Sequence, residues 1–352
     1  MSTTRSSALA TLFPGYFALV MATGIIAIGA DQQDLGWLSA PLFWIAVVAH
    51  VVLAAMLTAR AALHRRALVT DATSHAKGFA FLTTIAATNV VGAGCAVIHE
   101  WWDVARVLWF VGLVLWVLFA YATLFAVILI DPKPGLQAGI NGTWFLLTVS
   151  LESIAVLGAL LVRHGSGDGI AFTSLCAFVL GLILYVVVMT MVFLRWTFHP
   201  LEPTEADPPA WIAAGAVAIT VLAGSNLLLA REASARLERV APFVEGVVVL
   251  AWATSTFWLP VMIAIGTWRH VLRRVPLRYH PSYWALVFPI GMYGAATFRM
   301  RTAVALDSLG WLPKVMLFFA LVAWAASAVG LLHAGMTAFR RRSPTADRAA
   351  LR

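Results

Sequence analysis

Along this chain apolar residues neither alternate nor recur at every third and fourth position; they gather in long blocks. Ten of these approach the ~20 residues that a helix needs to cross a hydrocarbon core. The blocks fall at roughly 12–30, 39–59, 77–98, 105–130, 143–163, 170–194, 209–230, 241–268, 281–298 and 312–338. Connections are short and no stretch of soluble composition is inserted. The pattern predicts an all-α integral membrane protein with one membrane domain over 12–338. A short tail over 1–11 precedes it, and a basic tail over 339–352, disordered from Arg340 onward, follows it.

The ten segments differ by parity. The third carries Thr83, Thr84, Thr88, Asn89, Gly92 and Gly94; the fifth carries Thr143, Thr148, Ser150, Glu152 and Ser153; the seventh carries Thr220, Gly224, Ser225 and Asn226. Even segments are plainer, and the fourth, with Trp109 and Trp116, reads as a lipid-facing helix. Small and hydroxyl residues also serve simple close packing of helices. Their restriction to odd segments favours a shared polar interior.

Odd segments also open alike, with Pro or Gly beside an aromatic: Pro14-Gly15-Tyr16, Gly78-Phe79, Gly142-Thr143-Trp144, Pro209-Ala210-Trp211 and Pro281-Ser282-Tyr283. Pro14 to Met21 aligns without gaps on Pro281 to Phe288, and Gly24 falls on Gly291. Such self-similarity marks a repeated unit. Five hairpins, each an inner odd helix and an outer even one, account for it. Every inner helix then starts on the same side, and its partial positive end attracts anions to that mouth.

The ninth segment breaks its own helix. Pro289 removes a backbone donor in mid-span, beside the large ring of Phe288. In hydrocarbon such a break survives only against other helices or a watery cavity.

Composition agrees with the blocks. The 352 residues are 61% hydrophobic and 11% charged, with mean hydropathy +0.88, more apolar surface than a soluble domain of this length hides. The first block is too long, and too well followed by similar ones, for a cleaved signal peptide. Cys95 and Cys176 lie inside apolar blocks and read as small core residues. Lysines and arginines collect on the side holding both ends of the chain, among them Arg60, Arg65, Arg66, Lys77, Lys133, Arg195, Arg269, Arg273, Arg274 and Arg278. Both termini are therefore expected in the cytoplasm of a cell (plasma or inner) membrane. The net charge of +8 is mostly this orientation signal, so a nucleic-acid partner is not expected.

No paired-acid or His-x-x-x-His motif marks an intramembrane enzyme; His50 and His333 fall on outer segments, and no metal or cofactor is expected. Arg299 and Arg301, at the far end of the ninth segment, are placed at the external mouth, where they would concentrate anions or simply anchor the interface. Glu152 is the one carboxylate deep in an inner segment. Burying it ionised is costly unless it is paired. The expectation is a protonated Glu152 donating to Asn89 or Thr84 and coupling anion passage to protons; the alternative is an ionised side chain facing a watery vestibule.

Several of these stretches resemble one family. Phe13-Pro14-Gly15-Tyr16-Phe17 with Met21-Ala22-Thr23-Gly24, then Gly142-Thr143-Trp144-Phe145-Leu146, and above all Trp284-Ala285-Leu286-Val287-Phe288-Pro289-Ile290-Gly291, are similar to the tellurite-resistance/C4-dicarboxylate transporter family. That family includes plant slow-type anion channels and fungal malate and sulfite transporters. The resemblance implies a pore of five inner helices ringed by five outer ones in each subunit of a homotrimer, with a phenylalanine gate falling on Phe288. Met21 and Pro289 would accompany the gate, and Gly24, Thr84, Asn89, Thr148, Glu152, Ser225, Asn226 and Gly291 would line the path. The seventh segment departs from the family, reading Ala214-Gly215-Ala216 where Gly-Pro is typical. Transport of malate, sulfite or a small inorganic anion is implied; a proton-coupled carrier of organic acids, or tellurite-type oxyanion efflux, is the alternative.

Overall fold

The structure, a computed structural model, describes residues 9–342 except Thr204, so most of the two tails lies outside it. Among the described residues it is helical without a strand. Long helices are α1 (Ala18–Asp31), α2 (Gly36–Leu63), α4 (Thr83–His99), α5 (Trp102–Leu129), α7 (Leu146–Arg163), α8 (Asp168–Phe198), α9 (Ile212–Leu229), α10 (Ala235–Thr267), α11 (Trp284–Ala303) and α12 (Leu312–Arg342). Two short ones, α3 (Arg65–Ala72) and α6 (Leu136–Gly139), lie in the connections. The last helix runs past the expected boundary at 339, because its alanines and arginines continue to favour the helix.

Among the described residues, nine of these helices, taken together with any short helical turn that adjoins them, are long and apolar enough to cross a membrane. The exception is α11, the expected ninth span, diluted by Pro289, Tyr293, Arg299 and Arg301. Packing explains why it can be less apolar. It lies against α1, α9 and α12, so most of it meets protein and not lipid.

Two populations separate by burial. In the spans containing α1, α4, α7 and α9, 83–100% of the apolar window is buried; in those containing α2, α5, α8, α10 and α12 only 17–39% is. Contacts among the buried helices run in cyclic order, from α1 to α4, α7, α9, α11 and back to α1. Each of the exposed helices packs on the buried helix before it in the chain and touches the next.

Tryptophan N–H groups tie the two populations together. Trp109 of α5 donates to the Ile154 carbonyl of α7 at 3.0 Å, Trp252 of α10 to Thr297 of α11 at 3.1 Å, and Trp324 of α12 to Thr23 of α1 at 2.9 Å. Trp109 is therefore not lipid-facing as expected; it is 2% exposed, because its buried N–H needs this acceptor. Cys95 is buried as expected, whereas Cys176 is exposed on α8.

Candidate functional site

Every buried helix begins with a 3-10 turn: Pro14–Phe17, Gly78–Leu82, Gly142–Phe145, Pro208–Trp211 and Pro281–Tyr283. Proline suits such a start, since its missing N–H would have no helical partner there. The turns contact one another in the same cyclic order as the helices. Gly142 is pressed against the backbone of Pro209 and Ala210, an approach that a side chain would block.

A narrow hollow lies where the five starts meet. Its wall takes residues from each, including Ala18 and Met21, Ala80 and Thr83, Thr143 and Leu146, Pro209 and Ile212, and Ser282, Ala285 and Phe288. The lining is apolar and the free space about 20 Å³, room for roughly one water. Phe288 and Met21 are each 2% exposed. The Pro289 ring rests on Gly215 of α9, where an added methyl would meet its Cγ at 2.7 Å. Gly215 thus receives the proline of the neighbouring helix.

The backbone around the hollow is electropositive. Asn141 accepts the Thr143 N–H and His280 accepts the Ser282 N–H, but no side chain caps the starts at Pro14, Gly78 or Pro208. Five partial positive ends thus converge on one apolar space.

Ionisable groups surround this end without entering the hollow. Burial pushes the Asp207 carboxyl up to about 6, against the opposing pull of Arg269 and of backbone N–H groups. Burial lowers His280. Arg60, 1% exposed, binds the carbonyls of Ala10 and Leu12 and Asp71 at 2.6 Å, which fixes the segment leading to Phe13. Burial raises Asp71, but its bonds to Arg60 and Lys77 outweigh that and leave it lowered.

The remaining candidate residues are spread among different surroundings. Asn89 donates to Ser153 at 3.0 Å and sits over Gly112 of α5. Glu152 accepts from Thr220 at 3.0 Å, and an added methyl at Gly181 of α8 would meet its Oε1 at 2.6 Å. The expected bond from Glu152 to Asn89 or Thr84 is thus absent; these side chains point towards exposed helices. Thr84 lines an outward cavity. Thr148, Ser225 and the Glu152 Oε2 are buried with no partner among the described residues. Asn226 is buried near the end of α9. Gly24 faces Val90 and Ala46, and Gly291 faces Ile25, Ile26 and Ala320, so both serve helix packing.

At the opposite end of the buried helices a cavity of about 290 Å³ is lined by Glu100, Trp102, Arg163, His164 and Arg299 over an apolar floor. Trp102 and His164 stack with ring centres 4.0 Å apart. Arg301 is elsewhere, 3.6 Å from Asp307. Sequence reasoning missed Arg163 as part of this cavity, since a lone arginine at the end of its helix carries only an orientation signal.

Residues 11–332 match the family described as voltage-dependent anion channel, SLAC1. The chain belongs to that family. Two uncharacterized transporters of Methanocaldococcus jannaschii are similar over nearly the whole chain, one 24% identical over 87% of this chain and 89% of its own length, the other 22% identical over 86% and 90%. An uncharacterized membrane protein of Mycobacterium tuberculosis is 37% identical over 43% of this chain and 77% of its own length. Membership of this family indicates an anion transporter of the membrane and not an enzyme. No group of His, Cys, Asp and Glu among the described residues is arranged to hold a metal.

Proposed function

We propose that this protein passes small anions across the membrane along the axis enclosed by α1, α4, α7, α9 and α11, with Phe288 and Met21 closing the path. In this reading the protein crosses the bilayer ten times as five hairpins, α11 being the tenth span. The observation that carries it is the hollow to which all five helix starts contribute and at which Phe288 lies. The partial positive ends of five converging helices would draw an anion towards it, and the apolar lining would bind it weakly enough to let it leave.

Lysine and arginine distribution supports cytoplasmic termini in a cell membrane, with the hollow facing the cytoplasm. A homotrimer is the assembly this reading takes from the resemblance. Malate, sulfite, nitrate and chloride are the substrates to compare. Purified protein in liposomes would be loaded with each in turn and efflux followed, for the native chain and for Phe288→Ala. Faster efflux from Phe288→Ala, with the preference among anions kept, is expected. Equal rates in a folded Phe288→Ala would remove Phe288 as the gate, and no efflux of any anion from either protein would remove the transport reading.

A further inference from the structure

The largest of the cavities described lies outside the ring of buried helices. It holds about 440 Å³ between α2 and α5, with Phe17 and Phe81 of the first two 3-10 turns and Thr84 and Thr88 of α4 as its inner wall. Its lining is apolar, from Leu57 and Ala54 on α2 to Leu115 and Phe119 on α5. The two helices do not pack along each other, and both turn large apolar side chains outwards, such as Val48 and Val51 on α2 and Val107 and Val114 on α5. The gap therefore opens sideways into hydrocarbon.

One end of the gap is covered by α3. This helix turns Leu68 and Ala72 to the cavity and leaves Arg65 and Arg66 exposed. Neither arginine has a carboxylate within 4 Å among the described residues, and the nearby Asp71 is taken by Arg60 and Lys77. An apolar slot that opens to lipid, with two free cations at its polar end, fits an amphiphile of one kind.

We propose that this cavity binds the acyl tail of an anionic phospholipid, with Arg65 and Arg66 holding the headgroup phosphate. Volume agrees with the assignment. At ~25–30 Å³ per methylene, close to the share of a water in liquid, the cavity of about 440 Å³ has room for most of one long tail. Charge supplies the selectivity, since each basic residue at a membrane surface favours anionic lipid by ~1 kcal/mol. The tail would lie against Phe17, Phe81 and Thr84, behind the helix starts that form the hollow. The site does not depend on which anion the protein carries.

The test is native mass spectrometry of the full chain, released from vesicles of phosphatidylglycerol and phosphatidylcholine in equal amounts. One phosphatidylglycerol per chain should remain bound to the native protein. Arg65→Gln with Arg66→Gln should weaken it about thirtyfold, the factor that ~1 kcal/mol for each arginine gives. Ala54→Trp, which fills the slot from its α2 wall, should abolish retention of either lipid. Circular dichroism checks that each variant is helical, and the exposed arginine pair keeps the test open if Ala54→Trp does not fold. Equal retention of the two lipids, or retention unchanged in the arginine double variant, overturns the proposal. So does an Ala54→Trp protein that keeps its lipid but falls from oligomer to monomer, because a second copy would then cover the cavity.

Discussion

The two ends of the buried helices are built by opposite means. At the end where the helices start, prolines, glycines and aromatics draw five 3-10 turns into contact, and only about 20 Å³ remains between them. At the other end the helices finish separately, and a cavity of about 290 Å³ holds Arg163, Arg299, His164 and Glu100. Narrowness at the first end comes from close-set backbone turns and packed apolar side chains, so it persists whatever the charges nearby do. The second end is shaped by long charged side chains, which move and which salt screens. Selection by size and by charge can thus reside about a helix length apart.

The comparison breaks most visibly at Phe288. Moving a packed phenylalanine aside forfeits ~2 kcal/mol of burial, so Phe288→Ala should speed anion efflux from liposomes about thirtyfold. If the charged end limits passage instead, the rate will hardly change.

Next in size is Asp207, beside the narrow end. Its folded carboxyl titrates near 6, above the value of 3.8 for a free side chain. The folded state therefore binds this proton more tightly. Stability from this group is fully present below about pH 4 and is lost as the pH rises through 6. Asp207→Asn should stabilise the protein by about 1–2 kcal/mol at pH 7 relative to pH 4, seen as a rise in Tm that shrinks on acidification. A Tm difference independent of pH would remove Asp207 as the cause.

A smaller effect is expected at the wide end. Replacing Arg163 and Arg299 by glutamine should lower efflux about threefold at 10 mM salt and very little at 1 M, since the screening length falls from ~30 Å to ~3 Å. An equal loss at both strengths would mean damaged packing. Arg301→Gln should leave efflux almost unchanged at either strength, because that guanidinium is turned to Asp307.

Much of this arrangement was legible because membrane helices announce themselves in blocks and because the repeated Pro or Gly beside an aromatic marks five starts. The alignment of Pro14–Met21 on Pro281–Phe288 even placed Met21 and Phe288 at one level, and both line the hollow. Side-chain direction was not legible. A helix surrounded on all sides by protein has no polar face to betray its orientation. Glu152 looked like a lining residue for that reason; its contacts with Gly181 and Thr220, far along the chain, show which way it points. Trp109 misled in the same manner, since a tryptophan in an apolar run looks like a lipid anchor until its acceptor, the Ile154 carbonyl, is in place. Arg163 was overlooked because a terminal arginine becomes a cavity wall only when Arg299 stands opposite.

The bond from Trp324 to Thr23 joins helices separated by 301 positions. During synthesis the first helix must wait, its flank on that side uncovered, until the ribosome has delivered almost the whole chain. Any chaperone or insertase that shelters a half-finished product has this flank to hold, together with the edge of whichever hairpin has just been inserted. A nascent chain stopped after α10 would carry an open arc of four buried helices, and completion of the last hairpin would convert that arc at once into a closed circuit.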